Sequence, residues 1–210
     1  MKLALFGGTF DPIHSGHIEA ATRAADTCVL DRILVVPSGS PPHKQEGCRA
    51  GYEHRFRMVE LACRADARLA ASRLERPRAD GEAHYSVDTI SRIRARMEFA
   101  GALHLIIGAD AFAEIGLWRD IDQISEWVKF IVVERPGFAA DGAVQPSHTV
   151  RCSHPASSRA VRHRAKIGGA LADLVPAAGC EYIWQHSLYR PQAVGAGDSG
   201  QSGDRLTMGP

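Results

Sequence analysis

Short apolar runs that alternate with helical patterns constrain this chain more than any other feature of its sequence. The runs Lys2–Phe6, Arg32–Val36, Leu103–Ile107 and Phe130–Val133 are continuous and apolar, which is typical of strands buried on both faces. Arg68–Leu74 is a weaker candidate for a strand. Because helical patterns separate the strands, the sequence predicts an α/β fold around a parallel sheet.

Apolar residues also recur at helical spacing in two segments between these strands. Such stripes are typical of helix faces that pack on a core, and we interpret them so rather than as cofactor-binding motifs. One stripe consists of Tyr52, Phe56, Val59 and Cys63, and the other of Val87, Ile90, Ile93 and Met97.

Three segments lack such patterns. Pro37–Gly51 is rich in Gly, Ser and Pro between a strand and a helix, so we expect an irregular loop of a length that is often functional. Ala139–Gln145 is predicted to be a second flexible connection. Gly195–Pro210 has almost no apolar content, and we predict a disordered tail over 191–210.

Composition limits the function classes. With 25 Lys and Arg against 24 Asp and Glu, the net charge is +1, so no global field favours nucleic acid or an acidic membrane. No apolar stretch is long enough for a membrane span and no signal peptide precedes the first strand, which predicts a cytoplasmic protein. The 5 cysteines include no CxxC pair and are interpreted as reduced thiols.

The segment after the first strand carries the clearest chemistry. It reads GGTFDPIHSGH over residues 7–17 and leads into a helical pattern. Glycines at a strand-to-helix turn allow close backbone approach, and the helix start offers free N–H groups to phosphate. The sequence therefore predicts a phosphate site here, with His14 and His17 on one face of the first helical turn.

The histidine pair has three interpretations. Metal binding is weakly supported because no third ligand is evident, and capped or surface histidines are the ordinary reading of an isolated pair. In this glycine-rich turn, two imidazoles can also donate hydrogen bonds to phosphate oxygens and stabilise charge during nucleotidyl transfer.

The complete string resembles the HxGH signature of the nucleotidyltransferase superfamily. Its GGTFDPIHxGH form is similar to the bacterial nicotinate-nucleotide adenylyltransferase family. The sequence lacks GxxxxGK[ST] and GxGxxG, so neither a P-loop nor a dinucleotide-binding fingerprint competes with this resemblance.

Further motifs follow in the order of that family. VPSGSPPHK resembles the loop in which a lysine, here Lys44, meets phosphate, although a solvated lysine is the alternative. YSVDT resembles the segment that recognises the nicotinate carboxylate, with His84 and Ser86 in place of the usual Ser and Thr around Tyr85. Ser86 or Asp88 could instead cap the helix.

Three later motifs extend the resemblance. IGAD followed by LWR assigns Gly108 and Asp110 to nucleotide binding and Trp118 to stacking on the pyridine ring, although a core role for the tryptophan is the alternative. ERPG resembles the family's segment at the end of the next strand, and this resemblance implies that Arg135 lies near adenine. ASSRAVR stands where the family has ISSTxIR.

The last of these motifs is the weakest match. Ser157 and Arg162 are in register with the family pattern at a helix start that binds triphosphate. Arg159 replaces the family threonine, and we expect it either to contact phosphate differently or to point outward.

Over residues 2–190, the resemblance implies a single Rossmann-like α/β domain. It would have an open, five-stranded parallel core with helices on both faces and a small helical C-terminal part from about residue 157. It also implies adenylyl transfer from ATP, with Mg²⁺, to nicotinate mononucleotide in NAD synthesis. Oligomerisation is left open. The implied catalytic residues are His14, His17, Lys44 and Arg162; the ATP-binding residues are Gly8, Thr9, Phe10, His14, His17, Gly108, Asp110, Arg135, Ser157 and Arg162; the residues for the other substrate are Lys44, Tyr85, Ser86 and Trp118.

Three alternatives remain at this point. An enzyme that prefers nicotinamide mononucleotide would keep all of these motifs, whereas one that uses phosphopantetheine should lack the VPxxxPPHK, YSVDT and WR set. A non-catalytic nucleotide-binding protein would retain the fold with an altered triphosphate site. Arg159 is the one feature that favours this last alternative.

Overall fold

The computed structural model describes residues 1–39, 48–99, 101–135, 137 and 141–191. Strands and helices alternate along most of this length, as the apolar runs predict. The strands are β1 Leu3–Gly8, β2 Arg32–Pro37, β3 Leu69–Ala71, β4 Leu103–Gly108, β5 Val128–Glu134 and β6 His148–Arg151; the helices are α1 Ser15–Cys28, α2 Tyr52–Cys63, α3 Ser86–Arg96, α4 Ala109–Ala113, α5 Ile121–Trp127, α6 Ser158–Lys166 and α7 Ala177–Gln185.

The strands form one open sheet in the order β3-β2-β1-β4-β5-β6. Every neighbouring pair is parallel, with Leu5 of β1 opposite Leu34 of β2 and Leu105 of β4. The order reverses between β1 and β4, and ligands of such sheets bind at the carboxyl ends of the strands near this reversal. The turn that follows β1 lies at that point.

The sheet is covered by helices on both faces, and alternate side chains of β1 enter different cores. Ala4 and Phe6 pack with buried residues of α1, α2, α6 and α7, whereas Leu3 and Leu5 pack with those of α3, α4 and α5. Both stripes predicted from helical spacing are buried as expected, except that Met97 follows the last residue of α3. The α/β class and the helix-covered parallel sheet are confirmed.

The prediction of five strands is wrong, because the sheet has a sixth strand. β6 pairs with β5, Val133 lying opposite Val150, and forms one edge of the sheet. Only Val150 of its four residues is buried. An edge strand with three exposed residues has no apolar run, so the pattern that revealed the other strands is absent there.

The long segments are described in part. Pro37 ends β2, Ser38 and Gly39 are irregular, and residues 40–47, with Lys44, lie outside the described residues. Residues 141–147 contain no helix or strand, while 192–210 lie outside the description. The structure shows no helix, within the part of the chain it describes, that is long and apolar enough to cross a membrane.

Candidate nucleotide site

The turn after β1 is held closed by an aromatic ring. Phe10 is 3% exposed and has φ of 47°, so its backbone is left-handed and its ring folds back over the chain. A Cβ on Gly8 would lie 2.9 Å from that ring, which explains the glycine. The Phe10 ring also meets His17 edge-on, with centroids 5.0 Å apart. Phe10 and Gly8 thus shape the turn that presents the histidines.

The two histidines stand together at the start of α1. His14 is the residue before the helix and His17 lies in its first turn, and their rings stack with centroids 3.7 Å apart. The His14 N–H donates to Nδ1 of His17 at 3.2 Å, which leaves the proton of a neutral His17 on Nε2. His14 is 1% exposed and its Nδ1 lacks a partner among the described residues.

Burial and positive neighbours keep both imidazoles neutral. Burial, with smaller contributions from the charges of Arg135 and His154, lowers the pKa of His14 from 6.5 to about 3. Burial, His14 and Arg135 also hold the pKa of His17 well below its usual value. Negative charge placed beside the rings would reverse these shifts. The pair is therefore suited to an anionic ligand. The N–H group of each neutral ring can donate a hydrogen bond to such a ligand, and each ring can gain a proton beside it.

Gly16 permits the close approach of these groups. A Cβ there would lie 3.2 Å from Cε1 and Nδ1 of His14 and 3.4 Å from the Ala156 carbonyl. Sequence reasoning missed His154, whose Nδ1 accepts from the Ala156 N–H at 3.1 Å. No short motif marks it, because it reaches the site from the segment between β6 and α6.

Asp11 joins the turn to distant parts of the chain. Its carboxylate, 3% exposed, accepts from the N–H groups of Arg49 at 2.7 Å and Ala50 at 3.2 Å and from the Tyr189 hydroxyl at 2.8 Å. Burial, together with the charge and hydrogen bond of Asp11, raises the pKa of Tyr189. Protein donors occupy both oxygens of Asp11, so this carboxylate has a structural role.

A buried arginine supports the other side of the turn. Arg55 of α2 is 1% exposed and donates to the Thr9 carbonyl at 2.6 Å and to the Ala50 carbonyl at 3.2 Å. A buried guanidinium is tolerated only when its N–H groups have partners. Arg55 thus fixes the backbone of the turn at Thr9. No signal in the sequence marks Arg55, because its partner Thr9 lies 46 positions away.

The start of α6 is attached to the same turn. Ser157 caps the helix by accepting from the Ala160 N–H at 3.1 Å, while Ser158 Oγ donates to the Pro12 carbonyl at 2.9 Å. Arg162 donates to the Asp11 carbonyl at 2.6 Å, whereas Arg159 is exposed. The helix start, with its free N–H groups, therefore lies against the histidine turn.

The end of β4 presents a carboxylate to the same edge of the sheet. Asp110, in the first turn of α4, is exposed, and its Oδ1 would lie 2.5 Å from a Cβ on Gly108. The glycine therefore leaves the space that the carboxylate occupies. Since β4 neighbours β1, this group flanks the histidine turn.

Tyr85, which precedes α3, and the segment around Trp118 contact each other through Arg119. Arg119 places its guanidinium 4.8 Å from the centre of the Tyr85 ring, and both Tyr85 and Trp118 are half-buried against one core. Tyr85 precedes α3 and Ser86 is its first residue. Neither Ser86 nor Asp88 precedes the helix, so the alternative interpretation, in which one of them caps it, is wrong.

The described residues contain no group of three or more His, Cys, Asp or Glu side chains arranged to hold a metal ion. All 5 cysteines are free thiols. Lys44, which the family resemblance assigns to phosphate, lies outside the described residues and keeps its role as a prediction.

Comparison with known proteins matches this arrangement to one family. A model of the cytidylyltransferase-like family matches residues 5–164, from β1 through most of α6. The chain belongs to the cytidylyltransferase-like family. The match includes the histidine turn, the end of β4 and the start of α6.

Two curated relatives of this family match nearly the whole chain. Both carry the name "Probable nicotinate-nucleotide adenylyltransferase". The relative from Solibacter usitatus is 45% identical over 192 residues, and one from Thermus thermophilus is 38% identical over 191 residues. Each alignment covers 90% of this chain and 100% of the relative.

Solved structures show the same fold. A Plasmodium falciparum nicotinic acid mononucleotide adenylyltransferase complexed with NaAD has a TM-score of 0.70 at 17% identity, covering 90% of this chain and 97% of its own. The same protein complexed with APC gives a TM-score of 0.68. At this identity, the likeness shows the fold alone.

Proposed function

We propose that this protein transfers the adenylyl group of ATP to nicotinate mononucleotide, giving nicotinate adenine dinucleotide and pyrophosphate in NAD synthesis. The observation that carries the proposal is the stacked pair His14 and His17 at the start of α1, beside Arg135 and the amino end of α6. The names of the curated relatives support the choice of substrates.

The pair acts on the phosphates. The mononucleotide phosphate attacks the α-phosphorus of ATP in line and pyrophosphate leaves, so the protein needs no covalent nucleophile. His17 donates through Nε2 to oxygens that gain charge in the transition state, and His14 supports it. Arg162, Ser157 and the N–H groups of α6 neutralise the departing pyrophosphate. Lys44 is assigned to the same task.

ATP enters as its Mg²⁺ complex. Mg²⁺ prefers phosphate oxygens and water, and both Asp11 oxygens already have protein donors, so we assign the ion to the substrate. Asp110 accepts from ribose hydroxyls and Gly108 leaves room for the nucleotide, while Arg135 lies beside adenine and the polyphosphate.

The acceptor nucleotide occupies the side of the site at α3. Trp118 stacks on the pyridine ring, and the start of α3, with Tyr85 and Ser86, receives its carboxylate. The Tyr85 ring is in turn covered by Arg119. A cytoplasmic location belongs to the same proposal.

Pyrophosphate release tests the function directly. MgATP is supplied with nicotinate mononucleotide, nicotinamide mononucleotide or phosphopantetheine at equal concentration. We expect release mainly with nicotinate mononucleotide. Higher release with either other acceptor would replace the substrate assignment. ATP binding without release in any arm would show a non-catalytic nucleotide-binding protein, and Arg159→Thr would then test whether that residue is the cause.

A further inference from the structure

One buried carboxylate takes no part in the proposed chemistry. Glu75 lies between β3 and α3 and is 9% exposed. Thr89 Oγ1 donates to its Oε1 at 2.9 Å, and the Ser38 side chain donates to the same carboxylate. A buried carboxylate is costly unless donors satisfy it, so these bonds hold the group in one place.

The two donors belong to two elements that border the site. Ser38 follows β2 directly, and its N–H donates to the Gly8 carbonyl at 2.8 Å. Thr89 lies in α3 one turn after Tyr85, and its N–H donates to the Tyr85 carbonyl at 3.2 Å. Glu75 thus connects the end of β2 with the first turn of α3.

Neighbouring contacts fix the segment that carries Glu75. The His84 ring meets the Arg76 carbonyl through Nε2 at 2.9 Å, and Arg92 donates to the Leu74 carbonyl at 3.0 Å. A Cβ at Gly39 would overlap the Glu75 carbonyl oxygen, so the chain after β2 presses directly on this segment. The carboxylate is therefore held from α3 and from β2.

Several groups act on the charge of this carboxylate. Burial raises the pKa of Glu75, while the hydrogen bonds from Thr89 and Ser38 and the charges of His84 and Arg92 oppose that rise. Loss of the Thr89 hydroxyl would remove the strongest of these opposing interactions. The carboxylate and the first turn of α3 would then no longer be held together.

We propose that Glu75 is a positioning residue for the acceptor substrate: through Thr89 it fixes the first turn of α3, so that Tyr85 and Ser86 meet the pyridine nucleotide in one arrangement. The inference rests on the proposed adenylyl transfer. ATP binds at the turn after β1 and at the end of β4. Glu75 meets the side chain of Ser38, whereas the Ser38 backbone N–H makes the bond to this turn at the Gly8 carbonyl, and the Thr89 contact lies on the side of α3. Loss of the contact therefore weakens use of one substrate and spares the other.

Thr89→Val tests this, because it removes the hydroxyl and keeps the shape. We expect the KM for nicotinate mononucleotide to rise about tenfold or more, with the KM for ATP changed less than about twofold. Thr89→Ser retains the donor and should restore the acceptor KM. Ile90→Val is the matched control, since it trims a fully buried apolar side chain of the same helix and removes no hydrogen-bonding group.

The outcomes separate the inference from the function on which it depends. If the unaltered protein releases no pyrophosphate, both fail. If it is active and Thr89→Val changes neither KM, raises both equally, or lowers only the melting temperature as Ile90→Val does, Glu75 has a structural role alone. Should Thr89→Val fail to fold, Glu75→Gln is measured instead, with the same rise confined to the acceptor KM expected.

Discussion

At the scale of single residues, the site depends on two imidazoles kept neutral in a positive surrounding. Their rings are 3.7 Å apart and lie near Arg135 and His154, so protonation of either is opposed until an anion arrives. The triphosphate would supply that anion. The donors are therefore in place before binding, and their strength increases as charge develops on the phosphates.

His17→Ala should lower kcat by more than tenfold, which corresponds to more than about 1.4 kcal/mol of transition-state stabilisation. The reason is loss of the Nε2 donor that we propose acts on the reacting phosphate. Steady-state kinetics measure the change in kcat. His163→Ala is the control, because this histidine is exposed. A smaller loss would remove His17 from the transition state.

Trp118→Ala should mainly raise the KM for the mononucleotide, since the proposed stacking on the pyridine ring would be lost. Trp127→Ala serves as control, because this tryptophan ends α5 and packs against Arg94. An unchanged KM in Trp118→Ala would show that the side chain only fills the core.

The residues that sequence could reveal are those in a continuous string. The string GGTFDPIHSGH predicted where the histidines lie, because all of its residues belong to one continuous segment around the turn from β1 to α1. Arg55, Asp11 with Tyr189, and the contact between Glu75 and Thr89 depend on tertiary contacts across 14 to 178 positions. Nothing in local spacing distinguishes such residues from ordinary charged or polar ones, so they emerge only from the fold.

At the scale of elements, the carboxyl ends of β1 and β4 supply most of the site and glycines set its shape. Apolar runs revealed these strands, and the turn chemistry at their ends was therefore predictable. β6 was not predicted from the sequence because its side chains are mostly exposed and form no apolar run. The alternative in which Ser86 or Asp88 caps α3 is wrong because Tyr85 precedes the helix, and tyrosine is not a usual capping residue.

Gly108→Ala should raise the KM for ATP with little change in melting temperature. The added Cβ would lie 2.5 Å from Oδ1 of Asp110, and a flexible carboxylate can move away at small cost to folding. The double variant with Asp110→Ala should be no worse than Asp110→Ala alone, because both act on one group. Additive losses would show that Gly108 acts independently of the carboxylate.

At the scale of the whole molecule, buried neutral histidines make stability depend on pH. The pKa of His14 is about 3 when folded and 6.5 when free, so the unfolded chain binds more protons between these values. Stability is therefore complete above about pH 6.5 and falls as the pH drops towards 3. His17 contributes in the same direction.

When the pH falls from 7.5 to 5.5, the free energy of unfolding should drop by about 1 kcal/mol less in His14→Gln than in the unaltered protein. The reason is that the variant has one fewer buried imidazole that opposes protonation. Urea unfolding at both pH values measures the difference. Exposed His163→Gln should keep the original pH dependence. An equal loss in His14→Gln and the unaltered protein would contradict neutral burial of His14.

The three donors on Asp11 have a consequence for how activity is acquired. They come from positions 38, 39 and 178 residues away, so the turn after β1 reaches its final shape only once distant segments have closed on it. During refolding, helix content and compactness should therefore return before catalysis does. Enzyme activity would then report completion of the entire fold, including the chain beyond α7.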